Sequence, residues 1–296
     1  MRLLLLALLG LTACPALALN IFACEPEWGA LARELAGDKV SISTATTAMQ
    51  NAHRIEARPS LIARVRSADL VVCTGADLEA GWLPLLLQQS GNARVQAGTD
   101  GYFEAAQAVD RLEVPKVLDR SLGDVHPGGN PHVHTSPRNI ARIAEALGER
   151  LAKVDAAQAE QHRARTRDFL ARWRDAMARW EKAAAPLKGV PVVVYHRDWT
   201  YLIDWAGMRE VGGLEPKPGL PPTPAHLAEL IDRMKRQPAK LVMYAAYNDP
   251  KPAEFLSERT GIPAVRLPFT VGGNDKARDL FSLFDDTLAR LLQAAK

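Results

Sequence analysis

Residues 155–184 read DAAQAEQHRARTRDFLARWRDAMARWEKAA, and the spacing of their large apolar side chains decides how the chain is organised. Phe169, Trp173, Met177 and Trp180 recur at intervals of 4, 4 and 3 among Arg, Asp and Glu, which is one apolar stripe on a long helix. At ~1.5 Å per residue such a helix is roughly 43 Å long, enough to run beside two domains. The stripe reads as core packing rather than a cofactor site. Residues 137–184 also lack a strand signal, and a break near Val154-Asp155 splits the region into two helices. A rigid helix between two halves limits hinge motion, unlike a Gly/Ser linker.

Either side of this region the pattern alternates. Residues 20–24, 40–44 and 69–73 read as strands, with helical spacing over 28–36 and over 59–67, where Pro59 opens the first turn. The rhythm returns late: residues 190–195, 240–244 and 264–267 are β-rich, and 224–236, 250–260 and 276–294 are helical. Alternation of this kind predicts parallel βα units. The expected fold is α/β, with two lobes, each a parallel-type sheet flanked by helices, joined by one long rigid helix. The expected divisions are a signal peptide over 1–18, an N-terminal lobe over 19–154, the linking helix over 155–184 and a C-terminal lobe over 185–296.

Composition narrows the function. Lys and Arg number 37 against 34 Asp and Glu, and a net charge of +3 spread along helices is no footprint for nucleic acid. After the N-terminus no run reaches the ~18 consecutive apolar residues of a membrane span. The start itself is an address: Met1-Arg2 precedes an apolar run from Leu3 to Leu11, as in a secretory signal peptide. Ala16-Leu17-Ala18 fits a cleavage site that starts the mature chain at Leu19. Leu11-Thr12-Ala13-Cys14 fits a lipobox, which makes Cys14 a lipid-bearing N-terminus. Both cuts predict export to the periplasm, soluble in one case and anchored in the other. Export leaves Cys24 and Cys73 in an oxidising compartment, each at the end of a strand-like run. They are a candidate disulfide if those strands are neighbours, and otherwise two buried thiols.

Seven histidines remain to be weighed. His162 and His226 fall in helices among charged residues and are expected at the surface. The others lie in loops or at strand ends, where α/β folds place their sites. His53 lies in Asn51-Ala52-His53-Arg54, before the helix opened by Pro59. His126, His132 and His134 lie within nine residues of a Gly/Pro-rich loop, Gly123-Asp124-Val125-His126-Pro127-Gly128-Gly129-Asn130-Pro131-His132-Val133-His134. His196 follows a strand directly, in Tyr195-His196-Arg197-Asp198-Trp199. Imidazole is the commonest metal ligand, so these five are the candidates for a metal site.

In order along the chain, three segments resemble the periplasmic solute-binding proteins of zinc and manganese ABC transporters, the cluster A-I (cluster 9) family. They are His53 with Pro59-Ser60, Asn130-Pro131-His132 with Pro137, and Tyr195-His196-Arg197-Asp198-Trp199-Thr200-Tyr201. The resemblance spans the mature chain and implies that His53, His132 and His196 ligate a metal in the cleft between lobes. Three neutral imidazoles suit Zn²⁺, and Mn²⁺ members of the family carry a carboxylate at the position of His196, so zinc is the expected cargo and Mn²⁺ the lesser alternative. Asp275, after Gly272-Gly273-Asn274, is the expected fourth ligand or else the N-cap of the last helix. Asp249, Glu25 and water are further options, because Ala245-Ala246 stand where many relatives have an acid. His134 and His126 are expected as auxiliary ligands or metal-handing residues.

The resemblance also implies capture rather than catalysis, by a monomer that delivers the ion to an ABC permease driven by a cytoplasmic ATPase. No G-x-x-x-x-G-K-[ST] loop is present, so nucleotide hydrolysis belongs to a partner. Two alternatives use the same residues: a zinc hydrolase with Glu25 or Glu27 as general base, and a surface adhesin with structural metal.

Overall fold

The structure, a computed structural model, describes residues 18–116, 123 and 125–296; the expected leader and Cys14 lie outside the described residues. The N-terminal half contains β1 (Asn20–Ala23), α1 (Pro26–Ala36), β2 (Ser41–Thr44), α2 (Pro59–Ser67), β3 (Leu70–Cys73), α3 (Leu83–Ser90) and β4 (Tyr102–Glu104). Helices α4 (Pro137–Val154) and α5 (Ala159–Ala184) follow. The C-terminal half contains β5 (Pro191–Val194), α6 (Thr200–Ala206), β6 (Arg209–Gly213), α7 (Pro224–Arg236), β7 (Leu241–Ala245), α8 (Lys251–Thr260), β8 (Ala264–Leu267) and α9 (Leu280–Ala294). Each half carries one four-stranded sheet, in the orders β2-β1-β3-β4 and β6-β5-β7-β8, and every pairing is parallel. The expected two-lobed α/β architecture is therefore the observed one.

Helix α5 is the element the lobes share. Phe169, Trp173 and Trp180 are buried, while Met177 is partly buried against the same core. Trp173 stacks near Phe169 and meets Trp180, Phe281 and Phe284 edge-on, which brings α9 onto α5. Its indole Nε1 donates to the Pro137 carbonyl at 2.8 Å, so the start of α4 is tied to the same ring. One continuous apolar cluster runs from Ile21 and Val72 in the first sheet through these aromatics to Val192 and Met243 in the second. The outer face of each sheet has its own smaller cluster, around Trp82 and Leu86 in one lobe and Leu230 and Met234 in the other.

Two edge strands are additions to the expected pattern. β4 has only three residues, and β6 is half-buried and ends in Gly212-Gly213, so neither shows the dense apolar run of a central strand. Helix α9 begins at Leu280 rather than at 276, because Asp279 is its N-cap and forms a capping box with Ser282. His162 is a correction. It is buried on α5, with Nε2 3.0 Å from Asp155 Oδ2, because the linker before α5 folds back over that face. His226 is half-buried, with Nε2 2.9 Å from the Gly213 carbonyl.

Cys24 and Cys73 are joined in a disulfide at the C-terminal ends of the adjacent strands β1 and β3. Below it lies a buried polar knot. Thr74 Oγ1 accepts from Trp28 Nε1 and donates to Glu25 Oε2, and the Glu79 carboxylate receives the amides of Thr74 and Gly75. Burial raises both acids, Glu79 to about 7 and Glu25 well above its ordinary value, with repulsion from Glu79 and Glu27 adding to the latter.

Two outcomes follow. Trp173→Ala removes the ring on which α4, α5 and α9 meet, and is expected to cost about 3–5 kcal/mol in urea unfolding. The loss should register equally in probes of both lobes; a loss confined to one lobe would show that the core is not shared. For Glu79, an unfolded value of about 4.3 and a folded value of about 7 mean that the native state holds more protons in between. Its contribution to stability therefore declines as pH rises through that window, and the pH slope of stability should flatten in Glu79→Gln.

Candidate metal centre

The carboxyl ends of the strands in both sheets face the cleft between lobes, where open parallel sheets place their ligands. The loop after β2 carries His53, the long connection after β4 carries His126 and His132, and the turn after β5 carries His196. Tyr247 and Phe269 come from the turns after β7 and β8.

His53, His132 and His196 converge, with one ring nitrogen of each lying within 4.8 Å of the other two. Their ring centroids form a nearly equilateral triangle of 5.3, 5.6 and 5.6 Å. Bonds of about 2.0–2.1 Å in a tetrahedron place imidazole centroids roughly 5.2 Å apart, so the triangle is the size a zinc-like ion requires. Two of the rings are held from behind. Asn51 Oδ1 lies 2.8 Å from His53 Nδ1, and Glu215 Oε2 lies 2.7 Å from His196 Nδ1, which leaves each Nε2 facing inward. Glu215 is itself held by the Gly219 amide at 2.8 Å.

His132 is positioned through its backbone. Asn130 Oδ1 accepts from the His132 amide, and Asn130 Nδ2 donates to the Arg197 carbonyl and Thr200 Oγ1 across the cleft. Both ring nitrogens of His132 are buried without a hydrogen-bond partner. Burial, and then the neighbouring imidazoles, hold His53 and His132 well below the ordinary imidazole range. Neutral rings offer the lone pairs a cation needs.

The other sequence candidates separate clearly. His126 Nε2 stands 3.2 Å from His53 Nε2, close to the span of two donors on one ion. His134 is buried but turned away: Nδ1 is 3.1 Å from Glu27 Oε1 and Nε2 is 3.2 Å from the Phe269 carbonyl. Asp275 is exposed and outside the triangle. The turn that holds it is closed by Asn274 Oδ1, which receives the amides of Lys276 and Ala277, and Gly273 packs so tightly on Pro268 that a Cβ there would meet the Pro268 carbonyl. Asp249 is exposed and accepts from the Lys251 amide at the start of α8. Glu25 is engaged by Thr74.

Several residues at the site escaped the sequence reading. Glu215 and Asn51 carry no motif, and their role depends on which loop lies behind which ring. Phe269 packs edge-on against His132, His134, Trp199 and Tyr247 at centroid distances of 4.7–5.6 Å, from a backbone with φ of 54°. Asp198 is fully buried beside His132 and accepts from Tyr247 Oη at 2.7 Å. Its signal was the placement of an acid two residues after a candidate ligand.

With this geometry in place, the comparisons with known proteins agree. The chain is similar to the metal ABC transporter substrate-binding lipoprotein ScbA of Streptococcus cristatus, 22% identical over 94% of this chain and 91% of that protein. It is as similar to the manganese ABC transporter substrate-binding lipoprotein scaA of Streptococcus gordonii, at 22% with the same coverage. A crystal structure of ZnuA superposes with a TM-score of 0.78 at 22% identity, covering 94% of this chain and all of the other. Residues 21–294 match the model of one family throughout both lobes. The chain belongs to the family described as zinc-uptake complex component A, periplasmic.

Proposed function

We propose that this protein captures one Zn²⁺ between its lobes and hands it to the permease of an ABC importer. The carrying observation is the triangle of His53, His132 and His196, two rings from the N-terminal half and one from the C-terminal half. Nitrogen donors favour zinc over the harder Mn²⁺, although the relatives' names include manganese. His126, beside His53, is in place as a further imidazole during loading. The working units are lobes 19–154 and 185–296, with 155–184 as their fixed spacer.

Catalysis fits the site poorly. Glu27 is tied through one oxygen to Thr270 Oγ1 at 2.5 Å and Glu25 to Thr74 Oγ1 at 3.0 Å, and the relatives named as transporter components favour capture over hydrolysis. The relatives are named as substrate-binding lipoproteins, which supports the lipobox reading of Cys14 and membrane partners in the form of a permease and its ATPase.

The test is metal content of the mature protein, stripped and reloaded, with Zn²⁺ and Mn²⁺ in direct competition. Expected are one Zn²⁺ per chain, preference for Zn²⁺, and loss of tight binding in His132→Ala and in His196→Ala. Preference for Mn²⁺ would refute the zinc assignment. Absence of any tightly held metal would refute the carrier.

A further inference from the structure

Three imidazoles leave one tetrahedral position open, and Ala245-Ala246 at the end of β7 offer no side-chain donor to fill it. Asp275 and Asp249 are exposed. Asp198 is the buried carboxylate next to the triangle. It is 0% exposed, with Oδ1 3.5 Å from His132 Nε2. That pair forms no hydrogen bond, since both ring nitrogens of His132 are unpartnered, so Asp198 does not hold the ring as Glu215 holds His196. A separation of 3.5 Å is instead close to the roughly 3.3 Å between neighbouring donors on one ion with ~2.0 Å bonds.

The two oxygens of Asp198 differ. Oδ1 accepts from Tyr247 Oη at 2.7 Å. Oδ2 is buried with no hydrogen-bond partner. A buried carboxylate oxygen without a donor is costly unless a cation meets it, and no Lys or Arg is paired with Asp198 among the described residues. The carboxylate with an orphaned oxygen and the imidazole with orphaned nitrogens lie side by side, one from each lobe.

We propose that Asp198, presented by Tyr247, is the oxygen ligand that completes the shell of His53, His132 and His196. This rests on the metal-carrier reading above. The carboxylate stands against His132, beside the triangle rather than inside it, so it joins the shell as the ion enters. Ligation closes the fourth position with a negative charge from the C-terminal lobe, which balances the ion across the cleft with two donors from each half. It also makes Tyr247 a positioning residue, since its hydroxyl holds the carboxylate oxygen that lies 3.5 Å from His132 Nε2.

The experiment compares wild type, Asp198→Asn and Tyr247→Phe, all without metal and then titrated with Zn²⁺ against a competing chelator and with Co²⁺ followed by absorption. In Asp198→Asn, zinc affinity should fall more than the ~10–100-fold typical of an outer-shell change, and the Co²⁺ spectrum should shift. The apo form should melt at or above the wild-type temperature, because the amide removes an uncompensated buried charge. Tyr247→Phe keeps the carboxylate and should stay within about tenfold of wild type. The proposal is overturned if Asp198→Asn loses less than about a hundredfold with an unchanged Co²⁺ spectrum. It is equally overturned if the apo variant melts lower or fails to fold, which would make Asp198 a structural acid. Wild type that binds no metal would instead remove the carrier reading itself.

Discussion

Packing of α1 and α4 from one side and α9 from the other against α5 is the constraint from which the rest of the structure follows. A three-ring site split between lobes exists only if the carboxyl ends of two separate sheets are held at a fixed spacing. Trp173 and its neighbours provide that, because one continuous core admits no change in lobe position without exposing buried aromatic surface. A 26-residue helix spans about 39 Å, so it can support both halves along its length. The ligand loops then need only short reaches from the strand ends.

At the cleft, a second set of contacts refines this spacing with polar groups. Asn130 is the most economical of them: its Oδ1 fixes the His132 amide while its Nδ2 reaches the Arg197 carbonyl and Thr200. Tyr201 Oη donates to the Asn130 carbonyl at 2.6 Å and receives the Leu112 amide at 3.1 Å. Thr270 donates to Glu27, and the Phe269 carbonyl faces His134. These bonds cross between lobes in a buried setting, where leaving a donor or acceptor unmade costs about 1–3 kcal/mol each. His134 is thereby part of the seam between lobes, not of the histidine triangle.

Much of the fold was legible because its signals are local. The stripe Phe169, Trp173, Met177, Trp180 announces α5, and dense apolar runs announce the central strands β1, β3, β5 and β7. Edge strands β4 and β6 were not legible: they bury one face at most, and Gly212-Gly213 reads as a turn. At the site, His53, His132 and His196 stood out by their loop context and by resemblance. Their supports did not. Glu215 and Asn51 matter because of which ring they stand behind, and that is a tertiary fact. His162 misled for the same reason, since charged neighbours on a helix do not report what the preceding linker covers.

The placement of charge at the cleft suits the holding of a cation. Burial holds His53 and His132 well below the ordinary imidazole range, and each acid at the cleft has one oxygen engaged: Glu27 by Thr270, Glu25 by Thr74, Glu215 by His196 and Asp198 by Tyr247. Nitrogen donors at the boundary of the cleft, with the Asp198 carboxylate beside His132, make a setting that favours a cation. Opening the cleft then works against a core and a polar seam that hold the lobes together.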